Sequence, residues 1–188
     1  MKILTVFALE SETQSLFTDI PILYTGVGKV NASYNLTKAI TQKKPDVILN
    51  IGTAGSKKFN YGNIILCNKF IQRDMNATAF GYKPFETPND QTPQILEYFT
   101  LNENIFDGIG ICGTGDSFEI NITGDEPYDV VDMEAYALAK IAKAENIPFV
   151  CVKFISDGAD NNAPQNWNDS LVIGAKKMKT VFDEIQQH

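Results

Sequence analysis

Short apolar runs rich in β-branched residues alternate along the chain with stretches whose apolar residues recur at helical spacing. This alternation is typical of a mostly parallel sheet covered by helices, because each crossover between parallel strands needs a helix-length connection. Strands are predicted at Ile3–Ala8, Ile22–Tyr24, Val47–Asn50, Ile64–Cys67, Gly108–Ile111, Val130–Val131 and Phe149–Ile155. Helices are predicted at Ser11–Phe17, Lys29–Gln42, Thr92–Phe99, Glu134–Glu145 and Asn168–Gln186.

The last of these helices carries the clearest apolar pattern. Residues on one face recur at four-three-four-three spacing, which predicts packing against a core. These residues are Leu171, Ala175, Met178, Phe182 and Ile185. The proline-containing stretch Lys83–Pro93 is predicted to be a loop. Since no segment resembles a domain linker or a repeat, the 188 residues are expected to form one domain spanning residues 1–188.

Charge and hydropathy exclude several classes of partner. Sixteen basic and twenty-three acidic residues give a net charge of −7, and no basic stripe is present that would favour nucleic acid. Met1–Leu9 is followed by Glu10 and Glu12 where a signal peptide needs small residues, so the segment is interpreted as a strand. No run approaches the roughly 18 apolar residues of a membrane helix. We therefore expect a soluble, cytoplasmic protein without a membrane or nucleic-acid partner.

The cysteines and the histidine restrict the possible chemistry. Cys67, Cys112 and Cys151 are far apart and lie in apolar contexts, which favours buried strand residues in a reducing compartment over disulfides or a metal site. The one histidine is His188, the last residue, so mechanisms that need an internal histidine are excluded. We expect neither a metal nor a cofactor. Catalysis would have to use carboxylates, lysine, hydroxyls or backbone groups.

Glycine-rich turns follow two of the predicted strands, where ligands bind in open α/β sheets. The segments are T-G-V-G-K at 25–29 and G-T-A-G-S at 52–56. Glycine lets backbone N–H groups approach an oxygen-rich ligand closely, although each segment taken alone favours a structural turn over a ligand site. Neither matches the Walker spacing or a full G-x-G-x-x-G, so a nucleoside triphosphate or dinucleotide site is not supported.

Three acids also follow predicted strands. Partial burial of Asp157 would raise its pKa and suit it to donating a proton, but Ser-Asp-Gly is also ordinary turn chemistry. Glu134 opens an alanine-rich helix, where it could cap the helix or accept two hydrogen bonds from a vicinal diol. Glu12 follows the first strand and is open to the same choice between an exposed helix start and a buried functional group.

Seven motifs occur in one order and spacing over nearly the whole chain. They are A-L-E-S-E at 8–12, T-G-V-G-K-V-N-A at 25–32, P-D-V-I-L-N-I-G-T-A-G-S at 45–56, T-A-F-G-Y at 78–82, G-D-S-F at 115–118, D-M-E-A at 132–135 and F-I-S-D-G-A-D at 154–160. Together they resemble the purine/uridine phosphorylase superfamily, and in particular its 5′-methylthioadenosine/S-adenosylhomocysteine nucleosidase branch. The resemblance implies a single-domain, three-layer α/β/α fold with a mixed, mostly parallel central sheet.

The resemblance implies a hydrolase that releases adenine from a ribose carrying a 5′-thio substituent. Asp157 would protonate adenine at N7 while the ribose develops oxocarbenium character, as in glycoside hydrolysis generally. Glu12 would orient and deprotonate the attacking water. Lys153 stands where these nucleosidases usually have arginine, so a fork-like contact to the water or to Glu12 would become a point charge.

Further residues would bind the sugar and the base, again as the resemblance implies. Glu134 would bind the ribose hydroxyls, Met133 would pack under the sugar, and Thr53 would contact the substrate. Phe118 would stack on the purine, and main-chain groups around Glu119 would meet its Watson–Crick edge. Glu119 replaces an aliphatic residue of the family.

The 5′-substituent would lie in an apolar pocket shared between two subunits. Leu9, Val27 and Trp167 would line it from one chain, with Trp167 replacing a smaller aromatic residue. Phe80 and Tyr82 would come from the neighbouring subunit, because family members of this type form homodimers.

Three alternative functions remain open at this point. A phosphorylase of the same superfamily would use phosphate, but the chain has one arginine, Arg73, and Glu12 would repel an anion. A futalosine hydrolase would need a polar 5′ pocket. A non-catalytic nucleoside-binding module would not need both Glu12 and Asp157. The chain also departs from its relatives between Glu12 and Tyr24, where eleven residues replace a longer region.

Overall fold

The computed structural model describes residues 1–98 and 103–187, and within them all eight strands belong to one sheet. The strands are β1 Ile3–Phe7, β2 Ile22–Tyr24, β3 Val47–Gly55, β4 Ile64–Gln72, β5 Ile95–Glu97, β6 Gly108–Thr114, β7 Val130–Asp132 and β8 Phe149–Asp157. The α-helices are α1 Lys29–Gln42, α2 Ala135–Ala144 and α3 Ala163–Gln186. Short 3₁₀ turns occur at Glu10–Glu12, Thr78–Phe80 and Glu103–Ile105.

The sheet is mixed and mostly parallel, as the sequence predicts. Its order is β2-β1-β3-β7-β6-β4-β5, and β8 pairs parallel with β3 and antiparallel with β4. The pairings β3–β7–β6–β4–β8–β3 therefore form a closed circuit. Five of the strand pairings are parallel and three are antiparallel.

The strand register brings the ends of several strands together. Gly55 at the end of β3 pairs both with Asp157 at the end of β8 and with Val131 in β7. Val131 in turn pairs with Gly113, near the end of β6, and Gly113 pairs with Ile71, near the end of β4. Residues that follow different strands are therefore neighbours at one end of the sheet, where ligands bind in α/β folds.

Helices cover both faces of the sheet, which confirms the three-layer architecture. One core cluster includes Leu36 of α1 and Leu138 of α2, packed against sheet residues. The cluster on the other face includes Met178 and Phe182 of α3, packed against Phe154 and other sheet residues. The predicted stripe of α3 faces this core, with Leu171, Ala175, Met178 and Phe182 buried and Ile185 partly buried.

Two predicted helices are wrong. Thr92–Phe99 contains the short strand β5, which pairs antiparallel with β4, while Phe99 itself and His188 lie outside the described residues. Pairing with the open edge of β4 satisfies backbone groups that a short helix would leave unused, so the tertiary context decides the conformation. Ser11–Phe17 contains only the end of a 3₁₀ turn, because Gln14 and Ser15 adopt left-handed φ values of 45° and 59°.

Other boundaries differ in length only. β3 and β8 extend beyond their predicted ends, to Gly55 and Asp157, because the two strands pair along their whole length. α3 begins at Ala163, five residues before its predicted start, with a proline in its first turn. The stretch Lys83–Pro93 is a loop, as predicted. In the described part of the chain, no helix is both long and apolar enough to cross a membrane.

Candidate active site

A cavity of about 550 Å³ opens where the strand ends meet. Most of the residues predicted from the sequence to act on or bind a nucleoside line it. These residues are Leu9, Glu12, Val27, Thr53, Phe118, Glu119, Met133, Glu134, Asp157 and Trp167. The register of the strand ends explains why positions so far apart in the sequence share one cavity.

Glu12 is buried and accepts three hydrogen bonds. Its Oε1 accepts from the Thr53 backbone N–H at 2.8 Å and from the Thr53 hydroxyl at 2.9 Å. Its Oε2 accepts from the Leu9 N–H at 3.1 Å. The exposed helix start considered for Glu12 is therefore wrong. Its carboxyl group is held in one orientation by donors from β3 and from the end of β1.

Trp167 extends this arrangement. The Trp167 indole N–H donates to the Thr53 hydroxyl oxygen at 2.9 Å, and this hydroxyl donates to Glu12. The indole hydrogen bond fixes the hydroxyl rotor, because an oxygen that accepts from Trp167 points its own hydrogen elsewhere. A residue predicted as an apolar wall thus also orients Glu12 through Thr53.

Asp157 lies at the end of β8 with its carboxyl group buried against β3. Its Oδ1 accepts from the Ala159 N–H at 2.9 Å and its Oδ2 from the Ser156 hydroxyl at 2.7 Å. A Cβ added to Gly55 would lie 2.6 Å from Asp157 Oδ1, so the glycine makes room for this side chain. Burial raises the pKa of Asp157, and these hydrogen bonds offset the shift only in part.

Glu134 reaches the cavity from the start of α2. Its Oε1 accepts from the Gly28 N–H at 2.9 Å, which ties it to the start of α1. Burial first, and the Asp132 charge second, raise the pKa of Glu134 to about 8. The raised pKa favours the protonated form, which can donate one hydrogen bond and accept others.

Lys153 lies outside the cavity lining. Its ammonium group is buried and pairs with Asp132 at 2.8 Å. Burial lowers the pKa of Lys153, but the acidic groups around it, Asp132 first among them, together outweigh burial and raise the pKa well above its usual value. A Cβ added to Gly52 would lie 3.6 Å from Lys153 Nζ and 3.2 Å from Glu12 Oε1. The lysine is therefore a buried positive charge behind Glu12.

Phe80 and Tyr82 also lie outside the cavity of the single chain. Phe80 is 84% exposed at the end of a 3₁₀ turn, and Tyr82 is half-buried nearby. The chain alone therefore does not bring these two rings to the site.

Other residues of the lining were not predicted as site residues, among them the polar residues Arg73, Ser117 and Asp132. Arg73 directly follows β4, but the predicted strand ended at Cys67, so the strand end that marks Arg73 became visible only in the structure. Asp132 was visible as the first residue of D-M-E-A, and it pairs with Lys153 beneath the cavity.

The chain has a closed mixed sheet with helices on both faces, and carboxyl groups gather in a cavity at the strand ends. These features place it among the α/β proteins whose ligand site lies at the ends of the strands. Residues 15–187 match the family described as the phosphorylase superfamily. The chain belongs to the phosphorylase superfamily, which confirms the resemblance found in the sequence.

Within this class the chain is similar to particular nucleosidases. A 5′-methylthioadenosine/S-adenosylhomocysteine nucleosidase from Haemophilus influenzae (strain PittGG) is 34% identical, over 87% of this chain and 79% of the relative. The protein of the same name from Marinomonas sp. (strain MWYL1) is 28% identical, over 89% and 80%.

Solved structures share the fold. A Helicobacter pylori 5′-methylthioadenosine/S-adenosylhomocysteine nucleosidase with butyl-thio-DADMe-Immucillin-A superposes with a TM-score of 0.88 at 20% identity, covering 100% of this chain and 98% of the other. A futalosine hydrolase mutant from the same species has a TM-score of 0.87 at 18% identity, covering 100% and 99%.

Proposed function

We propose that this protein hydrolyses the N-glycosidic bond of adenine nucleosides with a 5′-thio substituent, such as 5′-methylthioadenosine and S-adenosylhomocysteine. One observation carries the proposal: Glu12, in the turn after β1, and Asp157, at the end of β8, line the same cavity in different hydrogen-bonding environments. Two carboxyl groups with different roles are what glycoside hydrolysis requires. The names of the sequence relatives support the same activity.

Asp157 would act as the general acid. Its raised pKa favours the protonated form that can deliver a proton to adenine N7 and make the base a neutral leaving group. The Ser156 hydroxyl at 2.7 Å can accept as readily as donate, so it is compatible with either protonation state. Phe118 at the cavity would stack on the departing purine.

Glu12 would position and deprotonate the attacking water. The Thr53 and Leu9 donors hold the carboxylate in place, and Oε2, which accepts one hydrogen bond from the Leu9 N–H, has a further lone pair for a water hydrogen. Glu134 would bind the ribose hydroxyls, and Met133 would pack under the sugar. Leu9, Val27 and Trp167 are part of the lining and are proposed to surround the 5′-substituent.

The site favours hydrolysis over phosphorolysis. Arg73 is the one arginine of the sequence, and it is committed to an ion pair with Glu119. An arriving phosphate would also meet the Glu12 carboxyl group. The apolar residues Leu9, Val27 and Trp167 favour a thioether over the polar 5′-substituent of futalosine, and retention of both Glu12 and Asp157 argues against a purely binding role.

We also propose that one domain spans residues 1–188 and that two copies assemble into a homodimer. Phe80 would then enter the partner's 5′ pocket together with Tyr82, and its 84% exposure in the single chain supports this role. Apolar Val30 and Tyr34 of α1 are exposed as well and could contribute to an interface. A cytoplasmic role in the salvage of methionine from methylthioadenosine fits the proposed substrate.

Adenine release with and without phosphate tests the proposal. Purified protein should release adenine from 5′-methylthioadenosine at the same rate in phosphate-free buffer and in added phosphate, because Glu12 supplies water to the reaction. A rate that rises from near zero in proportion to phosphate, with a ribose 1-phosphate product, would establish phosphorolysis instead. Adenosine, S-adenosylhomocysteine, inosine and futalosine in the same assay define the substrate range.

A further inference from the structure

One end of the cavity is built from an ion pair between Arg73, after β4, and Glu119, in the segment after β6. Arg73 Nη1 lies 3.1 Å from Glu119 Oε2, and the two side chains are 5% and 25% exposed. Both residues line the cavity, next to Phe118. A charged pair that is largely removed from water and faces a ligand cavity is positioned to recognise polar atoms of the ligand.

Further hydrogen bonds hold both partners of the pair. The Arg73 guanidinium also donates to the Ser117 hydroxyl at 3.1 Å and to the Ser117 carbonyl. Glu119 Oε1 accepts from the backbone N–H groups of Ile120, at 3.2 Å, and Asn121, at 3.1 Å. The Glu119 carboxylate therefore has a fixed orientation, and an ionised carboxylate offers hydrogen-bond acceptors and no donor.

We propose that the Glu119 side chain determines base specificity by accepting an N–H of the purine's polar edge, and that Arg73 is the positioning residue that holds it. This inference rests on the proposed function, because it takes the ligand to be a purine stacked on Phe118. Glu119 follows Phe118 in the chain and lines the same cavity, so a ring stacked on Phe118 would have the Glu119 carboxylate within reach of its edge. An amino-substituted purine can donate to this carboxylate, whereas a purine without an N–H on that edge leaves the remaining acceptor position of Glu119 Oε2 unfilled beside Arg73.

A purely structural role for the ion pair makes a different prediction. If Arg73 and Glu119 only fasten the segment after β6 to the end of β4, weakening the pair lowers activity on all substrates by the same factor. If Glu119 recognises the base, the loss depends on whether the base carries an amino group. The quantity to measure is therefore the ratio of kcat/KM for two substrates that differ at this group alone.

The experiment compares 5′-methylthioadenosine with the 5′-methylthio nucleoside of unsubstituted purine, which has hydrogen in place of the amino group. The wild type, Glu119→Gln and Arg73→Lys are measured with both. Glu126→Gln is the matched control, because Glu126 lies in the same segment outside the cavity and accepts hydrogen bonds from residues 123 and 124. Intrinsic differences in leaving-group reactivity cancel when the ratio of a variant is divided by that of the wild type.

Loss of the ionised acceptor should lower the amino-to-hydrogen ratio about 5- to 10-fold in Glu119→Gln, since hydrogen bonds to charged groups are roughly twice as strong as neutral ones. Arg73→Lys should lower the ratio in the same direction, and the double variant should lose less than the product of the single effects. The Glu126→Gln ratio should match the wild type. A ratio unchanged in folded Glu119→Gln overturns the inference.

Binding of the free bases gives a second measurement that needs no variant and no turnover. The wild type should bind adenine at least about fivefold more tightly than unsubstituted purine, on the same hydrogen-bond argument. Equal affinities would overturn the recognition role even if both nucleosides are hydrolysed. A preference for adenine without hydrolysis of either nucleoside would support the recognition site and instead contradict the proposed activity.

Discussion

At the scale of single residues, burial distinguishes Asp157, at the end of β8, from Asp160, which follows three residues later and is partly exposed. Asp157 is buried and lines the cavity, and burial raises its pKa. We predict that Asp157→Asn lowers kcat by about 10²–10⁴-fold with little change in KM, because the amide keeps the size of the acid but has no proton to deliver. The wild-type rate should fall as pH rises through the raised pKa of Asp157, since the general acid must be protonated.

Asp160→Asn is the matched control. Asp160 accepts from the Asn162 N–H at 2.9 Å and pairs with Lys57 at 3.5 Å, so it stabilises the turn before α3 and lies outside the cavity lining. Its substitution should affect stability more than kcat. If folded Asp157→Asn keeps more than about a tenth of the wild-type kcat, another group donates the proton. Asp116, which follows β6 and precedes Phe118, would be the next acid to test, and its carboxylate accepts from the Lys29 N–H at the start of α1 at 2.7 Å.

At the scale of elements, the sequence pattern predicted a helix correctly where interactions between residues close in the sequence determine its conformation. Helix Lys29–Gln42 has the predicted bounds, since Gly28 with a φ of 92° precedes it and an apolar face continues through it. The helix predicted at Thr92–Phe99 failed because pairing with β4 is a tertiary effect. The same distinction holds in the site. Asp157 and Glu12 were found because they follow strands, whereas the pairing of Arg73 with Glu119 joins residues 46 positions apart.

The contact of α3 with β8 gives a prediction at the same scale. Gly174 faces the sheet, and an added Cβ would lie 2.9 Å from the ring of buried Phe154. Gly174→Ala should destabilise the fold by about 1–2 kcal/mol, because overpacking costs about 1–3 kcal/mol and exceeds the roughly 0.5–1 kcal/mol gained in helix propensity. Urea unfolding measures the change. Val172→Ala, on the exposed side of α3, should stay within about 0.5 kcal/mol of the wild type.

At the scale of the whole molecule, the proposed 5′ pocket would need a second copy of the chain. Leu9, Val27 and Trp167 line the cavity, while Phe80 and Tyr82 lie outside it and would come from the partner. If a partner's rings complete the pocket, affinity for the thioether depends on assembly. The wild type should then sediment as a dimer at assay concentrations, and dilution into the monomer range should weaken binding of methylthioadenosine more than that of adenosine.

Phe80→Ser tests the contribution of the partner ring directly. A buried methylene contributes about 0.8 kcal/mol, so a methylthio group enclosed by apolar side chains should give the wild type roughly a tenfold preference in kcat/KM over adenosine. Removing the Phe80 ring should lower this preference severalfold, mainly through a higher KM for methylthioadenosine, and leave activity on adenosine close to that of the wild type.

Tyr61→Ser is the matched control, because Tyr61 is an aromatic residue 55% exposed outside the cavity lining, packed edge-on against Phe154. A dimeric Phe80→Ser variant with an unchanged preference for methylthioadenosine would show that the partner's ring does not reach the pocket, and a fully active wild-type monomer would show that no partner is needed.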